Sequence, residues 1–313
     1  MKNIEKTSVR FVRGAVVACL FTLISLLQAQ QFSGHYPAGV EGIKAASLPP
    51  PGFYLRDYNF VYFADRNKNG PPDFDLTAYI NAPRAIWISD CKIFGANYGL
   101  DLIVPFYYSD VEFTTPGGPV RDDAFGLWDI QFEPLLLAWH FKQFDLAAGY
   151  AFWAPSGDSN HDVTRPARLA KGFWSNMFTA GGTWFPTEDK TWAVSLLNRY
   201  EIHTENSDFK LTPGDSYTLE WGLSKSVRQT VDIGVIGYYQ QQINNDRGAG
   251  VAALAAAGPY NPRIHDRVVG LGPEINMFCP KMGLFVSARY AREFAAEDRP
   301  EGNAFVLTLT KRF

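Results

Sequence analysis

Cysteine is scarce in this chain, three residues in 313. One of them, Cys19, lies in an N-terminal apolar run, which leaves Cys91 and Cys279. That rules out a disulfide framework and, without Cys-x-x-Cys, the usual redox and zinc motifs. Long apolar stretches are equally rare. Only residues 14–27 form one, and it is shorter than the ~20 residues a helix needs to cross a bilayer. GxSxG, HExxH and P-loop patterns are missing, so the common hydrolase, metalloprotease and nucleotide-binding signatures are absent. Positive charge is in short supply too: 29 Lys and Arg stand against 32 Asp and Glu, a formal net charge of -3. A general nucleic-acid binder would need the opposite balance, and no nucleic-acid partner is expected.

What is present begins with a secretory signal. Lys2, Lys6, Arg10 and Arg13 precede the apolar run, and Leu27-Gln28-Ala29 offers a small residue for cleavage, so 1–29 reads as a signal peptide. Removing it takes away four bases and Glu5, moving the formal charge from -3 to about -6. Hydrophobic residues make up 46% of the chain and aromatics 15%. Without long runs, they must be spread by alternation, which is how a membrane barrel hides in composition.

From residue 53 onward, alternation bounded by turn residues predicts about twelve strands, at roughly 53–65, 74–89, 93–112, 125–141, 144–154, 173–186, 191–205, 216–226, 231–243, 263–278, 283–294 and 303–313. The connectors are of two kinds. Those around Asp90-Cys91-Lys92, Lys142-Gln143, 187–190, 228–230 and 279–282 are short. Those at 66–73, 113–124, 155–172, 206–215, 244–262 and 295–302 are long and rich in Gly, Pro, Asn and Asp. Short periplasmic turns opposite longer outer loops mark an outer-membrane barrel. A soluble sandwich shares the alternation but has no reason to sort its loops. The expected fold is all-β, a transmembrane antiparallel β-barrel of about 12 strands over 53–313, in lipid contact in a bacterial outer membrane. Cys91 and Cys279 fall at turns on one rim, so a bridge between them is allowed. The last strand puts Phe305, Leu307, Leu309 and Phe313 on one side, and a strand closing on Phe resembles the signal read by the barrel-assembly machinery.

Alternation also assigns faces. Trp192, Val194, Leu196, Tyr200 and Ile202 oppose Ser195, Arg199, Glu201 and His203, and Phe94, Ala96, Tyr98, Leu100, Leu102, Val104, Phe106 and Tyr108 oppose Asn97, Asp101 and Ser109. Tyr54, Tyr58, Tyr62, Trp87, Trp139, Trp153, Trp174, Trp184, Trp192 and Trp221 lie toward strand ends and suit interfacial girdles. Glu133-Pro134-Leu135 breaks the pattern, with a proline where a ladder donor is needed, and predicts a bulge. Residues 30–52, with Pro37, Gly39, Gly42 and Pro49-Pro50-Pro51, read either as a periplasmic segment or as a plug entering the lumen.

Several segments resemble a known family. Gly39-Val40-Glu41-Gly42-Ile43-Lys44, Ser47-Leu48-Pro49-Pro50-Pro51-Gly52, Tyr58-Asn59, 134–141, Ala154-Pro155-Ser156-Gly157-Asp158, Thr204-Glu205-Asn206, 237–241 and Arg292-Glu293-Phe294 are similar to recurring segments of outer-membrane proteins named for the meta-pathway of phenol degradation. The resemblance implies a transporter-type barrel that takes up phenolic or other hydrophobic compounds. It brings no binding or catalytic residues with it.

Charges placed inward by register are Asp101, Asp129, Glu133, Arg199, Glu201, Glu220, Asp232, Glu274, Arg289 and Glu293, with His203, Tyr238, Gln240 and Gln242 as further lumen-lining candidates. They either pair with one another and fill the barrel or line a path in which Arg199 and Arg289 attract an aromatic acid; twelve strands fall between filled and open barrels. For an enzyme, the only candidates are His161 with Asp158 and Asp162, or His265 with Asp266, at the outer rim. Asp65, Asn67 and Asn69 open a calcium-loop pattern that lacks its closing glutamate, since Leu76 stands there. Residues 252–257 are Ala-rich and suit a short helix, either a lid or packed on neighbouring loops. The expected function is passive uptake of small aromatic or hydrophobic compounds without a cofactor. The competing readings are a non-conducting structural or surface-interaction barrel and, behind it, an outer-membrane enzyme.

Overall fold

The computed structural model describes residues 34–158, 166–167, 169–257 and 261–313. The segment expected to be a signal peptide and the His161–Asp162 pair lie outside these residues. The strands are β1 (Gly52–Ala64), β2 (Asp75–Ile93), β3 (Ala96–Ile103), β4 (Phe106–Thr115), β5 (Gly118–Leu127), β6 (Ile130–His140) and β7 (Phe144–Ala154). They continue as β8 (Ser175–Trp184), β9 (Trp192–His203), β10 (Ser216–Arg228), β11 (Val231–Gln242), β12 (Arg267–Cys279), β13 (Leu284–Glu297) and β14 (Asn303–Arg312). All pairings are antiparallel, and β1 bonds to both β2 and β14, closing the sheet on itself. At this seam the Phe313 N–H donates to the Phe53 carbonyl at 3.0 Å, and the two rings lie 6.0 Å apart.

The wall has twelve strands because two of them are interrupted. The long β2 pairs with β3 along residues 84–93 and with β4 along 75–81, so β3 and β4 are halves of one wall strand. The break falls at Val104-Pro105, where proline has no ladder donor. Hydrogen bonds span it: Val104 N donates to the Pro83 carbonyl at 3.1 Å, and Trp128 N to the Pro105 carbonyl at 2.9 Å. Beside it, β5 and β6 are halves of the next strand, separated at Trp128-Asp129. The expected long loop at 113–124 is instead mostly hairpin: β4 pairs with β5 up to Thr115 opposite Gly118.

The bulge at Pro134 is present. Register shifts between Phe132 and Leu135, so Gln131 and Glu133 are buried before it and Leu136 and Ala138 after it. Outward positions form an apolar belt, seen in β14, where Phe305 is 48% exposed and Leu307 42% while Val306 is 2% exposed. Trp87, Trp184 and Trp192 are exposed near the short-turn rim and Trp174 near the other. Tyr54, Tyr58, Tyr62 and Trp153 are not girdle residues; they share a face with inward Arg56 or Asp145 and are buried in the lumen. One polar group interrupts the belt on β1 and β2. Asp57 accepts from Asn59 and Asn81 Nδ2, both at 2.8 Å, and Asn59 Oδ1 accepts from the Tyr79 hydroxyl at 2.6 Å.

Cys91 and Cys279 are both free thiols, so the allowed bridge is not formed. The Ala-rich stretch is helix α1 (Gly250–Ala257). Its Val251 and Leu254 pack with Phe209 on Phe173 and Leu211, the packed form and not a lid.

Candidate functional site in the barrel lumen

Every inward charge or polar group named from register lies on the lumen side, and most are buried, including Asp101, Asp129, Glu133, Arg199, Glu201, His203, Glu220, Tyr238, Gln240, Gln242, Glu274, Arg289 and Glu293. Asp232, near the periplasmic end, keeps 21% of its side chain exposed and pairs with Lys44 Nζ at 2.6 Å. Wall pairs form within the set: Arg199 with Glu220 at 2.8 Å and Arg289 with Glu274 at 3.7 Å. Tyr238 donates to Glu293 at 3.0 Å, and Gln242 Nε2 to Asp246 at 2.9 Å.

Glu201, Glu220, Glu274, Arg289 and Gln240 also bond residues 34–51, which run down the lumen from the outer half to the periplasmic start of β1. A segment without a sheet partner must still satisfy its backbone, and wall side chains do this. His35 and Tyr36 N–H donate to Glu201 at 3.1 and 3.2 Å, Gly39 N–H to Glu220 at 2.7 Å, Ile43 N–H to Glu274 at 2.7 Å and Ala46 N–H to Ser195 at 3.2 Å. In return, the Val40 carbonyl accepts from Arg289 and the Tyr36 carbonyl from Gln240 Nε2 at 2.8 Å. Gly42 is required here: its φ is +71°, and a Cβ would sit 2.1 Å from Glu274 Oε2.

At mid-depth the segment presents Glu41. Its Oε1 lies 3.1 Å from Arg84 Nη1 and 3.4 Å from Arg199 Nη2, its Oε2 lies 3.2 Å from Arg56 Nη1, and the Tyr58 hydroxyl donates to Oε1 at 3.1 Å. Arg84 also holds Asp101 and, at 3.1 Å, Glu133. Sequence reasoning missed Arg56, Arg84 and Glu41. The inward face of β2 is otherwise apolar, with Ala78, Ile80, Ala82, Ile86 and Ile88 buried around Arg84, so no run of inward polar residues marks it.

Higher up, His35 Nε2 contacts Asp129 Oδ2 at 2.9 Å and its Nδ1 contacts Ser175 Oγ at 2.6 Å, while Ser175 Oγ meets His203 Nδ1 at 2.7 Å. The break between β5 and β6 frees Asp129, which also accepts from the Gly157 and Lys171 backbone at 3.1 and 2.9 Å. The composition is that of an acyl-transfer triad, but the hydroxyl is shared between two imidazoles and Ser175 is 0% exposed, and in this arrangement the group ties His35 of the segment to the wall.

Three cavities follow one another beside the segment. An outer one of about 270 Å³ is walled by Phe60, Phe74, Ile80, Tyr107 and Trp128, with Lys171 and Arg299 at its polar side. Burial lowers the Lys171 amine to about 8, while Asp266, Glu201 and Asp129 pull the other way. A waist of about 50 Å³ follows, and then a periplasmic cavity of about 420 Å³. Tyr36, Phe60, Ile80 and Trp128 border both the outer cavity and the waist; Tyr58, Arg84, Glu133, Arg199 and Glu41 border both the waist and the periplasmic cavity.

The rim candidates are not assembled into a reactive site among the described residues. His265 contacts Asn245 at 2.9 Å, whereas Asp266 faces Arg299 at 3.8 Å. In the Asp65-Asn67-Asn69 loop, Asn69 donates to Asp298 at 3.1 Å and Asn67 bridges Pro300, tying the first outer loop to the last.

Solved structures of similar architecture include the COG4313 outer membrane channel from Pseudomonas putida F1, at 17% identity and a TM-score of 0.65, covering 90% of this chain and 100% of that one. The β domain of the Bordetella autotransporter Brka matches at 11% identity and a TM-score of 0.51, covering 85% and 100%. At these identities the likeness is one of fold, and with the apolar belt it makes the chain a bacterial outer-membrane barrel. No curated protein matches the sequence. The family model described as "Putative MetA-pathway of phenol degradation" matches residues 61–309, and the chain belongs to that family.

Proposed function

We propose that this barrel is a channel for passive uptake of small aromatic or hydrophobic compounds, with residues 34–51 acting as its plug. The observation that carries the reading is the series of three cavities beside the segment, apolar and aromatic at the outer end and narrowed by ion pairs at mid-depth. An apolar pocket of about 150 Å³ is enough for benzene, so the outer cavity of about 270 Å³ suits a substituted single ring. Family membership and the channel fold of the Pseudomonas neighbour support the same reading. With the segment inserted, Arg289 bonds the Val40 carbonyl, and Arg199 contacts Glu41 and the Tyr36 hydroxyl. No reaction is assigned to the lumen.

The second reading, a barrel that conducts nothing, is favoured by the waist of about 50 Å³. Proteoliposome uptake of labelled phenol and planar-bilayer recording on the mature chain separate the two. The channel reading expects small current steps interrupted by added phenol, and uptake faster than in empty liposomes. A correctly folded, heat-modifiable barrel that is silent and adds nothing to uptake would leave the structural reading.

A further inference from the structure

The contacts of Glu41 are those of a bound carboxylate. Its three guanidinium partners come from separate wall strands, Arg56 on β1, Arg84 on β2 and Arg199 on β9, and the Tyr58 hydroxyl completes the set. The Arg84 and Arg199 side chains are only 7% and 8% exposed, so this cluster sits where charge–charge contacts are screened least. The Nε atoms of Arg84 and Arg199 are buried without a hydrogen-bond partner. The wall therefore offers more donors than Glu41 uses. Guanidinium forks are the protein group best matched to a planar carboxylate.

Position adds the second half of the argument. On the outer side of this cluster the waist is walled by Phe60, Trp128, Trp153, Ile80 and Met177, surfaces that take the face or edge of an aromatic ring. A ring resting there with its carboxylate pointing inward would reach the same arginines. At about 50 Å³, the waist beside Glu41 is about a third of the roughly 150 Å³ apolar cavity that takes benzene, so a ring entering it must displace Glu41. Occupancy by a solute and by Glu41 is mutually exclusive.

We propose that Arg56, Arg84 and Arg199 form a binding site for the carboxylate of a monoaromatic acid, and that Glu41 occupies it as an internal substitute until a solute displaces it. The inference rests on the reading that small aromatic solutes enter this lumen. It makes plug release a competition: the affinity seen by the solute is its intrinsic affinity reduced by the fraction of molecules in which Glu41 has left.

The first test uses the unmodified mature protein and sodium benzoate, with benzyl alcohol as the uncharged counterpart. Hydrogen exchange at the His35, Tyr36, Gly39, Ile43 and Ala46 amides is expected to speed up at least tenfold with saturating benzoate and to stay unchanged with benzyl alcohol. The second compares benzoate binding by calorimetry in wild type and Glu41→Gln, with heat-modifiability confirming the fold; at least tenfold tighter binding is expected in the variant. Amide protection that does not respond to benzoate, an equal response to benzyl alcohol, or the same benzoate affinity in both proteins overturns the proposal. If competition is seen but proteoliposomes take up no aromatic solute, the channel reading falls and the carboxylate site stands.

Discussion

Gly42→Ala tests whether residues 34–51 are held in the lumen by the contacts described. At a φ of +71°, a Cβ costs about 1–2 kcal/mol from left-handed backbone strain. The new methyl would also meet Glu274 Oε2 at 2.1 Å and push this carboxylate off the Ile43 N–H, now 2.7 Å away. A hydrogen bond to a charged group is worth about 1.5–3 kcal/mol, which brings the penalty on the inserted state to about 2.5–5 kcal/mol. At about 1.4 kcal/mol per factor of ten, the equilibrium between inserted and released segment moves roughly sixty- to four-thousandfold. Hydrogen exchange at the 35–46 amides should rise by that order, and single-channel recording should show longer or larger openings than wild type. Ala45→Gly is the control, changing backbone freedom nearby without a clash. Wild-type protection of these amides in a folded Gly42→Ala barrel would refute the reasoning, because the strain would then have been absorbed without loosening the segment.

Two more predictions follow from the seam and the outer mouth. Phe313→Ala keeps the backbone bond to Phe53 but loses the ring contact at 6.0 Å; an aromatic pair contributes about 0.5–1.5 kcal/mol beyond its buried area, so the refolded, heat-modifiable fraction in urea titrations should fall at lower denaturant, and an unchanged curve would contradict this. The Lys171 amine is held by burial at about 8, below its ordinary 10.5, so between these values the unfolded loop binds more protons than the folded one and local stability rises with pH. Exchange protection across 169–173, corrected for intrinsic rates, should increase from about pH 8 to 10 and lose this trend in Lys171→Met.

The wall was legible in the sequence because each strand carries its own period-2 record. Trp192 through His203 assigned both faces correctly, and Pro134 announced its bulge by breaking the alternation. The breaks in the wall were not legible. Val104-Pro105 keeps the alternation of the strand it interrupts, and the interruption shows only in which neighbour β2 bonds to. Tyr54, Tyr58 and Tyr62 were misplaced because tyrosine suits either a lipid interface or a polar interior, and Arg56, the one residue that fixes their face, sits in a strand whose outward side carries Asp57 and Asn59. The Glu41 cluster joins residues of β1, β2 and β9 to a segment outside the sheet, a juxtaposition that depends on closure and leaves no local pattern.

Closure has a further consequence, for the order of events in assembly. Pro49-Pro50-Pro51 joins the lumen segment directly to β1, and β1 is bonded to β14, so the wall that surrounds the segment is completed by the strand made last. A sealed ring has no side entrance. A segment left outside at that moment would have to thread the mouth afterwards, with its polar backbone and Glu41 unpaired on the way. Closing the wall around a segment already in place avoids that threading, so changes that weaken its grip on Glu201, Glu220 and Glu274 should slow barrel closure as well as loosen the segment in the finished barrel.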